Sequence, residues 1–161
     1  MKVFLSLGSN SGKREKWLQC AVESIDKLRN TKVLRASSIY ETEPWGNKNL
    51  DFFLNQVIMI NTEFDCFELL KQCQEIEKRY GRVKVNEKWQ ARTLDIDILL
   101  CDNQKILIKE LQVPHPLLTE RMFVLKPLSE INPDLIIPGK NKKVIEIMKE
   151  CNDTSKVHLY K

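Results

Sequence analysis

Two hydrophobic periods alternate along the first two thirds of the chain, and this alternation constrains the fold more than any other feature. Four segments have the apolar pattern of β-strands, and two place apolar residues on one face of a helix. The predicted strands cover residues 1–7, 32–40, 52–62 and 92–100, and the predicted helices cover 13–29 and 65–80. The β-α-β-β-α-β order is that of a ferredoxin-like α+β core. We therefore expect an antiparallel sheet with both helices on one face and the active site on the other.

The remaining segments add loops and short elements to this core. Asp65 and Glu68 form a predicted capping pair at the start of the second helix. We expect one domain over residues 1–161, with C-terminal additions to the core. The predicted additions are loops at 41–51 and 82–91, a short strand near 105–108, a turn at 114–116 and helices at 118–124 and 143–151.

Composition excludes several classes of protein. The chain is 42% hydrophobic and 30% charged, which is typical of a globular domain and too apolar for disorder. Its net charge of +4 suits an anionic ligand without requiring nucleic acid. The five scattered cysteines form no C-x-x-C pair, so we expect thiols in a reducing compartment rather than disulfides or zinc. With no signal peptide or membrane-length apolar run, we expect a cytoplasmic protein.

Two aspartates interrupt the apolar strand RTLDIDILL, residues 92–100. Alternation places Asp95 and Asp97 on one face, about 7 Å apart along the strand. Two such charges repel unless water, basic groups or a cation surround them, and carboxylates of this kind suit Mg²⁺. The alternative is a solvated sheet face. The same alternation turns Leu94, Ile96, Ile98 and Leu100 toward the helices, and Thr93 and Leu99 toward the open face with the aspartates.

A basic segment precedes this strand. Arg82, Lys84, Lys88 and Arg92 surround Trp89 in sequence, so cations for phosphate lie close to carboxylates for a metal. This combination suits phosphoryl transfer. A solvated charged turn is the alternative, although an exposed tryptophan in such a turn needs a partner.

Three other groups of residues are candidates for ligand binding. His115 and Arg121 could bind phosphate, and Phe123 could stack on a ring; a rigid turn with a core phenylalanine is the alternative. Asn55 shares a strand face with Phe53 and could read the edge of a heterocycle, or it could bond a nearby loop backbone. Trp45 and Gly46 could form a lid, or Trp45 could pack on the core. The segment GSNSGKRE departs from the phosphate-loop pattern, and we interpret it as a turn with a helix cap.

Several ordered motifs resemble the 6-hydroxymethyl-7,8-dihydropterin pyrophosphokinase family of folate biosynthesis nearly from end to end. They are LGSN (7–10), SIYETEPWG (38–46), FLN (53–55), E-x-x-x-G-R-V (77–83), RTLDID (92–97), and VPHP with R-x-F-V-L-x-P-L (113–128). The resemblance implies transfer of the β,γ-pyrophosphate of ATP to the pterin hydroxymethyl group, with release of AMP. It also implies two Mg²⁺ ions held by Asp95 and Asp97.

The resemblance assigns the other residues to three groups. The pterin would contact Thr42, Glu43, Pro44, Trp45, Phe53, Asn55, Asp95 and Phe123. ATP would contact Gln74, Glu77, Lys84, Trp89, Arg92, Ile98, His115 and Arg121. The catalytic residues would be Arg82, Arg92, Asp95 and Asp97. The predicted partners are ATP and the pterin only, without nucleic acid or membrane, and we expect a monomer.

The chain departs from the family at four of these places. Lys84 stands where arginine is frequent and loses the bidentate fork, and Phe53 stands where tyrosine is common. Glu110 and Pro116 replace residues that contact ATP elsewhere in the family, so those two contacts are not carried over.

Two other functions remain open from the sequence. One is an Mg²⁺-dependent kinase that moves only the γ-phosphoryl group, distinguishable by release of ADP. The other is a ferredoxin-like RNA-binding module, but the chain lacks the exposed aromatic strand pattern that such modules need.

Overall fold

The computed structural model describes residues 1–44, 46–81 and 93–161. The predicted calls at Trp45, Arg82, Lys84, Lys88, Trp89 and Arg92 fall outside these residues. In the first half, the elements are β1 (Lys2–Ser9), α1 (Arg14–Asp26), β2 (Thr31–Ala36), β3 (Tyr40–Thr42), β4 (Phe53–Thr62) and α2 (Cys66–Arg79). The second half holds β5 (Asp95–Cys101), β6 (Ile106–Leu107), β7 (Gln112–Val113), a 3₁₀ turn (Leu118–Glu120), α3 (Met122–Ile131), α4 (Val144–Glu150) and β8 (Val157–Leu159).

The main sheet is antiparallel and runs in the order β5-β1-β4-β3-β8, with β2 also paired to β4. β6 and β7 form a separate hairpin. The α+β class with an antiparallel sheet is confirmed. The strand order is compatible with the predicted ferredoxin-like core, because β1 and β4 occupy the centre of the sheet.

Helices α1 and α2 pack on one face of the sheet, as predicted for the core, and α3, one of the C-terminal additions, packs on the other face. Residues from α1 and α2, such as Leu18 and Leu69, pack on one face with Leu5 of β1. On the other face, Val124 and Leu128 of α3 pack against Val57 of β4 in a second core cluster. Among the described residues, α3 covers the centre of the predicted active-site face, and Asp95 and Asp97 are half-buried toward the end where β5 begins and β1 ends.

The path of β5 differs from the predicted alternation at one position. Phe4 of β1 lies opposite Leu100, and the next residue, Leu5, lies opposite Ile98, so Leu99 is an extra residue in the strand. Such a bulge moves the following side chain to the other face. Leu100 therefore packs in the cluster with α3, where the sequence predicted it on the α1–α2 face.

Three further boundaries differ from the sequence prediction. The strand predicted over 32–40 is two strands, because the Ser37 hydroxyl accepts the backbone N–H of Val57, and Glu130 accepts that of Ser38. These side chains replace ladder bonds. The helix predicted at 118–124 is a 3₁₀ turn followed by α3, which continues through Pro127 because its apolar stripe is buried. The C-terminal strand β8 was not predicted.

The predicted cap of α2 is confirmed. Asp65 and Glu68 form a capping box at α2, in which the Asp65 carboxylate accepts the backbone N–H of Glu68 at 2.8 Å.

All five cysteines are free thiols, and burial raises the pKa of Cys73 to about 12, so this thiol stays neutral. Within the described ranges, each helix is too short or too polar to cross a lipid bilayer.

Candidate active site

Three residues on adjacent strands form a row across the open end of the sheet. Gly8 of β1 lies opposite Asn55 of β4 on one side and opposite Asp95 of β5 on the other. A Cβ atom at Gly8 would lie 3.2 Å from Asn55 Oδ1 and 3.8 Å from the Phe53 ring. The missing side chain therefore leaves a depression between an amide, an aromatic ring and a carboxylate.

The second aspartate lies in the next row toward the centre of the sheet. Ser6 of β1 is opposite Asp97, two residues along β5 from Asp95, and both carboxylates are half-buried. The predicted side-by-side arrangement of the aspartates is thus present in the structure. The strand can carry two aspartates on this face because its apolar side chains, Ile96 and Ile98, lie on the other face in the core.

The Asn55 amide is oriented by a buried hydrogen bond. Its Nδ2 donates to Thr42 Oγ1 at 2.7 Å, and both side chains are buried. The bond uses one N–H of the amide and leaves a second donor and the Oδ1 acceptor for other partners. An oriented amide of this kind can recognise a heterocycle edge, as predicted. Glu43 and Pro44 follow Thr42 directly, the first half-buried and the second buried.

The two predicted stacking rings have different surroundings. Phe53 is half-buried beside the Gly8 depression. Phe123, at the start of α3, packs partly against the second core cluster, and the Arg121 guanidinium lies 5.5 Å from the centre of its ring. Phe123 is therefore partly buried against the core and partly exposed.

His115 is a neutral hydrogen-bond donor at this end of the sheet. Burial and the nearby positive charge of Arg121 lower its pKa to about 4, against a smaller opposing effect of Asp95. Its Nδ1 accepts the backbone N–H of Leu117 at 3.1 Å, which places the imidazole proton on Nε2. His115, Arg121 and Asp95 are thus electrostatically coupled, and Nε2–H can donate to an anionic oxygen.

Two residues predicted to contact ATP have structural roles. Glu77 is buried in α2, and its carboxylate accepts the backbone N–H of Ile96 at 2.7 Å, which joins α2 to β5. The side chain of Ile98 lies in the core, so only its backbone could reach a ligand. Gln74, one turn before Glu77 on α2, is half-buried.

Sequence reasoning missed two residues that shape the candidate site. Gly8 was part of a motif without a stated role, although a glycine within an apolar strand is the signal for close approach of another group. Asp153 accepts the backbone N–H of Met122 at 2.8 Å and so stabilises the start of α3 beside Arg121. Burial alone would raise the pKa of Asp153. Hydrogen bonds from Ser155 and Met122 and the charge of Arg121 outweigh burial, so the pKa of Asp153 lies below its ordinary value. No local pattern links residues this far apart.

The described residues hold no cluster of three or more histidine, cysteine or acidic side chains that could bind a metal. The pair of Asp95 and Asp97 nevertheless fits Mg²⁺, which takes one or two carboxylates and completes its shell with water and phosphate oxygens. Carboxylates, a neutral histidine and an arginine beside an amide-lined depression define a class of protein: an α+β phosphotransferase for a small polar heterocycle.

Comparison with known proteins identifies the family. The family model for 7,8-dihydro-6-hydroxymethylpterin-pyrophosphokinase (HPPK) matches residues 4–133, and the chain belongs to this family. A 2-amino-4-hydroxy-6-hydroxymethyldihydropteridine pyrophosphokinase of Methylorubrum extorquens is 40% identical over 139 residues, 86% of this chain and 87% of the relative. The enzyme of that name from Bacillus subtilis is 44% identical over 128 residues, 80% of this chain and 76% of the relative.

A solved structure has the same fold. The crystal structure of Plasmodium falciparum HPPK-DHPS with pteroate matches with a TM-score of 0.74 at 15% identity. The match covers 92% of this chain and 42% of that longer chain, so this chain spans less than half of its length.

Proposed function

We propose that this protein transfers pyrophosphate from ATP to the hydroxymethyl group of 6-hydroxymethyl-7,8-dihydropterin and releases AMP, as a step of tetrahydrofolate biosynthesis. The observation that carries the proposal is the row of Asn55, Gly8 and Asp95 across three strands, with Asp97 beside it. In this proposal the Asn55 amide recognises the heterocycle, and the neighbouring carboxylates bind the metal and phosphates. Membership of the HPPK family supports the same reaction.

The heterocycle would occupy the depression over Gly8. The Asn55 amide, held by Thr42, would bond the polar edge of the pterin. Phe53 would stack on one face of the ring and Phe123 on the other, and the residues that follow β3, Glu43 to Trp45, would contribute backbone contacts. In this pose the hydroxymethyl group would point toward Asp95.

The triphosphate would bind on the other side of Asp95. His115 Nε2–H and the Arg121 guanidinium would be the donors on that side, and the electrostatic effects of Arg121 and Asp95 on His115 support this assignment. We further propose that Lys84, Trp89 and Arg92 contact ATP, and that Arg82 and Arg92 contact the transferred phosphates. Gln74, Glu77 and the backbone of Ile98 would serve the nucleoside side.

Asp95 and Asp97 would hold two Mg²⁺ ions together with phosphate oxygens. Bound Mg²⁺ would neutralise phosphate charge and lower the pKa of the pterin hydroxyl. The hydroxyl oxygen would attack Pβ in line, the bond from Pβ to the α,β-bridging oxygen would break, and AMP would leave with that oxygen. The carboxylate of Asp97 is our candidate acceptor for the hydroxyl proton. Positioning and charge neutralisation would supply most of the rate.

A product assay tests the proposal directly. Purified protein is incubated with Mg²⁺ and ATP, with and without the pterin, and the nucleotides are separated by chromatography. We expect AMP only in the presence of the pterin, in equal amount to a pterin diphosphate. Formation of ADP would indicate transfer of the γ-phosphoryl group alone and overturn the proposed reaction. No turnover with either mixture would leave the two aspartates without a catalytic role.

A further inference from the structure

Arg14, the first residue of α1, contacts three segments that are distant in sequence. Its Nη1 donates to the backbone oxygen of Phe52 at 2.8 Å, and its Nη2 pairs with Glu41 Oε2 at 2.7 Å. Its guanidinium carbon lies 5.9 Å from the centre of the Tyr160 ring. The Arg14 side chain is only 26% exposed, which sets it apart from ordinary surface ion pairs.

Two of these contacts are one residue away from the proposed pterin site. Glu41 precedes Thr42 in β3, and Phe52 precedes Phe53 at the start of β4. Thr42 and Phe53 are paired in the sheet, so Arg14 holds both strands at the loop end of their hairpin. Arg14 therefore contacts the residues next to Thr42 and Phe53, and Thr42 in turn accepts a hydrogen bond from the Asn55 amide.

The contact with Tyr160 links the end of the C-terminal strand β8 to Arg14 and so to the β3–β4 hairpin. β3 has only three residues and depends on its neighbours, β4 on one side and β8 on the other. Thr42 is paired with Val157 of β8, and Tyr160 follows that strand. The guanidinium thus lies between α1, the β3–β4 hairpin and the C-terminus.

Arg14, Glu41 and Phe52 line a cleft of about 390 Å³. Arg14 lines this cleft together with Asn10, whose Nδ2 donates to the backbone oxygen of Asp51 at 3.4 Å. Among the residues that the structure describes, none of the proposed pterin contacts lines it. Arg14 is therefore placed to act through the hairpin and not by touching the substrate.

The chemistry of these contacts requires arginine. A planar guanidinium donates to a carbonyl and a carboxylate at once from two nitrogens in a fixed fork. A lysine ammonium in the same place keeps the charge but loses that fork. We propose that Arg14 is a positioning residue, which fixes the end of the β3–β4 hairpin and so the affinity of the heterocycle site. This inference rests on the proposed function, because it assigns the pterin to Thr42, Phe53 and Asn55.

The test compares Michaelis constants of variants for the two substrates. In Arg14→Ala, we expect KM for the pterin to rise about tenfold, the equivalent of one charge-assisted hydrogen bond, with KM for ATP and kcat nearly unchanged. Arg14→Lys should recover part of this loss. Lys16→Ala is the matched control, because it removes the same charge from an exposed position of the same helix turn.

A second variant covers the case in which Arg14→Ala does not fold. Glu41→Gln removes the ion pair and leaves the bond to Phe52, so it should raise KM for the pterin less than Arg14→Ala but still selectively. Equal changes in both Michaelis constants, or an Arg14→Ala variant that matches Lys16→Ala, would overturn the positioning role alone. Absence of AMP with the wild-type protein would instead overturn the proposed function and, with it, this inference.

Discussion

At the scale of single residues, the absent side chain of Gly8 matters as much as the side chains around it. A methyl group there would approach Asn55 Oδ1 to 3.2 Å, closer than such contacts normally are. The backbone of Gly8 is that of an ordinary strand, so the restriction comes from the neighbours and not from the conformation. Gly8 therefore preserves both the depression and the Asn55–Thr42 bond.

The first prediction concerns this contact. Gly8→Ala should lower affinity for the pterin about tenfold or more, because the added methyl fills the depression and displaces the Asn55 amide. Affinity for ATP should change little. Titration calorimetry with each ligand measures both. A similar loss for both ligands would show that the substitution disturbs the sheet as a whole.

The two aspartates carry the second prediction. Asp95→Asn or Asp97→Asn should each lower turnover about 100- to 1,000-fold, because charge complementary to the metal and phosphates is lost. The thermal unfolding midpoint should stay close to that of the wild type, since both side chains are only half-buried. Asp102→Asn is the control: Asp102 is exposed after β5, and Asn keeps the oxygen that accepts the Lys2 backbone N–H. Loss of folding in either active-site variant would identify the pair as structural.

His115 carries a prediction about stability and pH. Its pKa is about 4 in the folded protein and 6.5 in its ordinary state, so the unfolded chain binds the proton first as the pH falls. The free energy of unfolding should therefore decrease from about pH 6.5 down to about pH 4, and this contribution should be constant below that.

Urea unfolding of the ligand-free protein over this pH range measures the effect. His115→Gln should remove this part of the pH dependence, whereas His158→Gln, at an exposed position of β8, should retain it. Identical pH profiles for the wild type and His115→Gln would contradict the shifted pKa.

At the scale of elements, the start of α2 is fixed by a capping box that is visible in the sequence. Asp65 accepts the backbone N–H groups of Phe67 and Glu68, and the Glu68 carboxylate accepts that of Asp65. These bonds satisfy N–H groups that the first turn of any helix leaves unpaired. The same helix then supplies Glu77, whose carboxylate holds the edge of β5.

The capping box leads to a prediction for the helix. Asp65→Ala should lower the free energy of unfolding by about 1 kcal/mol, the usual cost of losing such a cap. Urea denaturation with a constant m-value measures it. Glu75→Ala, on the exposed side of the same helix, removes only a surface pair with Lys78 and should lower the free energy of unfolding much less than loss of the cap. Equal losses for the two variants would contradict a specific role of the cap.

At the scale of the whole molecule, the two halves of the proposed site meet at Asp95. The heterocycle side is built by β1, β3 and β4, and the phosphate side by β5, the His115 turn and the start of α3. We propose that closure of the site over both substrates excludes water, which would otherwise hydrolyse ATP. The metal and the triphosphate would then complete the pterin site.

This arrangement predicts ordered binding with ATP first. The pterin should bind weakly to the free protein and at least tenfold more tightly with Mg²⁺ and a non-hydrolysable ATP analogue present, a coupling within the usual range for two linked sites. Calorimetry of the pterin with and without the analogue measures this. Tight pterin binding without any nucleotide would contradict the order.

The sequence alone determined the class of elements and indicated the candidate site residues. Periodicity located β1, β4, β5, α1 and α2 to within a few residues, and the motif around Asp95 and Asp97 indicated the carboxylate pair. These features depend on neighbouring residues, because helix periodicity, capping and strand alternation are local properties of the chain.

Only the tertiary structure decided which distant residues meet. The bulge at Leu99, the break at Ser37, the second helical layer and the pairing of β8 with β3 all depend on partners far along the chain. The row of Asn55, Gly8 and Asp95 and the contacts of Arg14 are of the same kind. Strand register and long-range hydrogen bonds carry no local signature, since they result from the packing of the complete core.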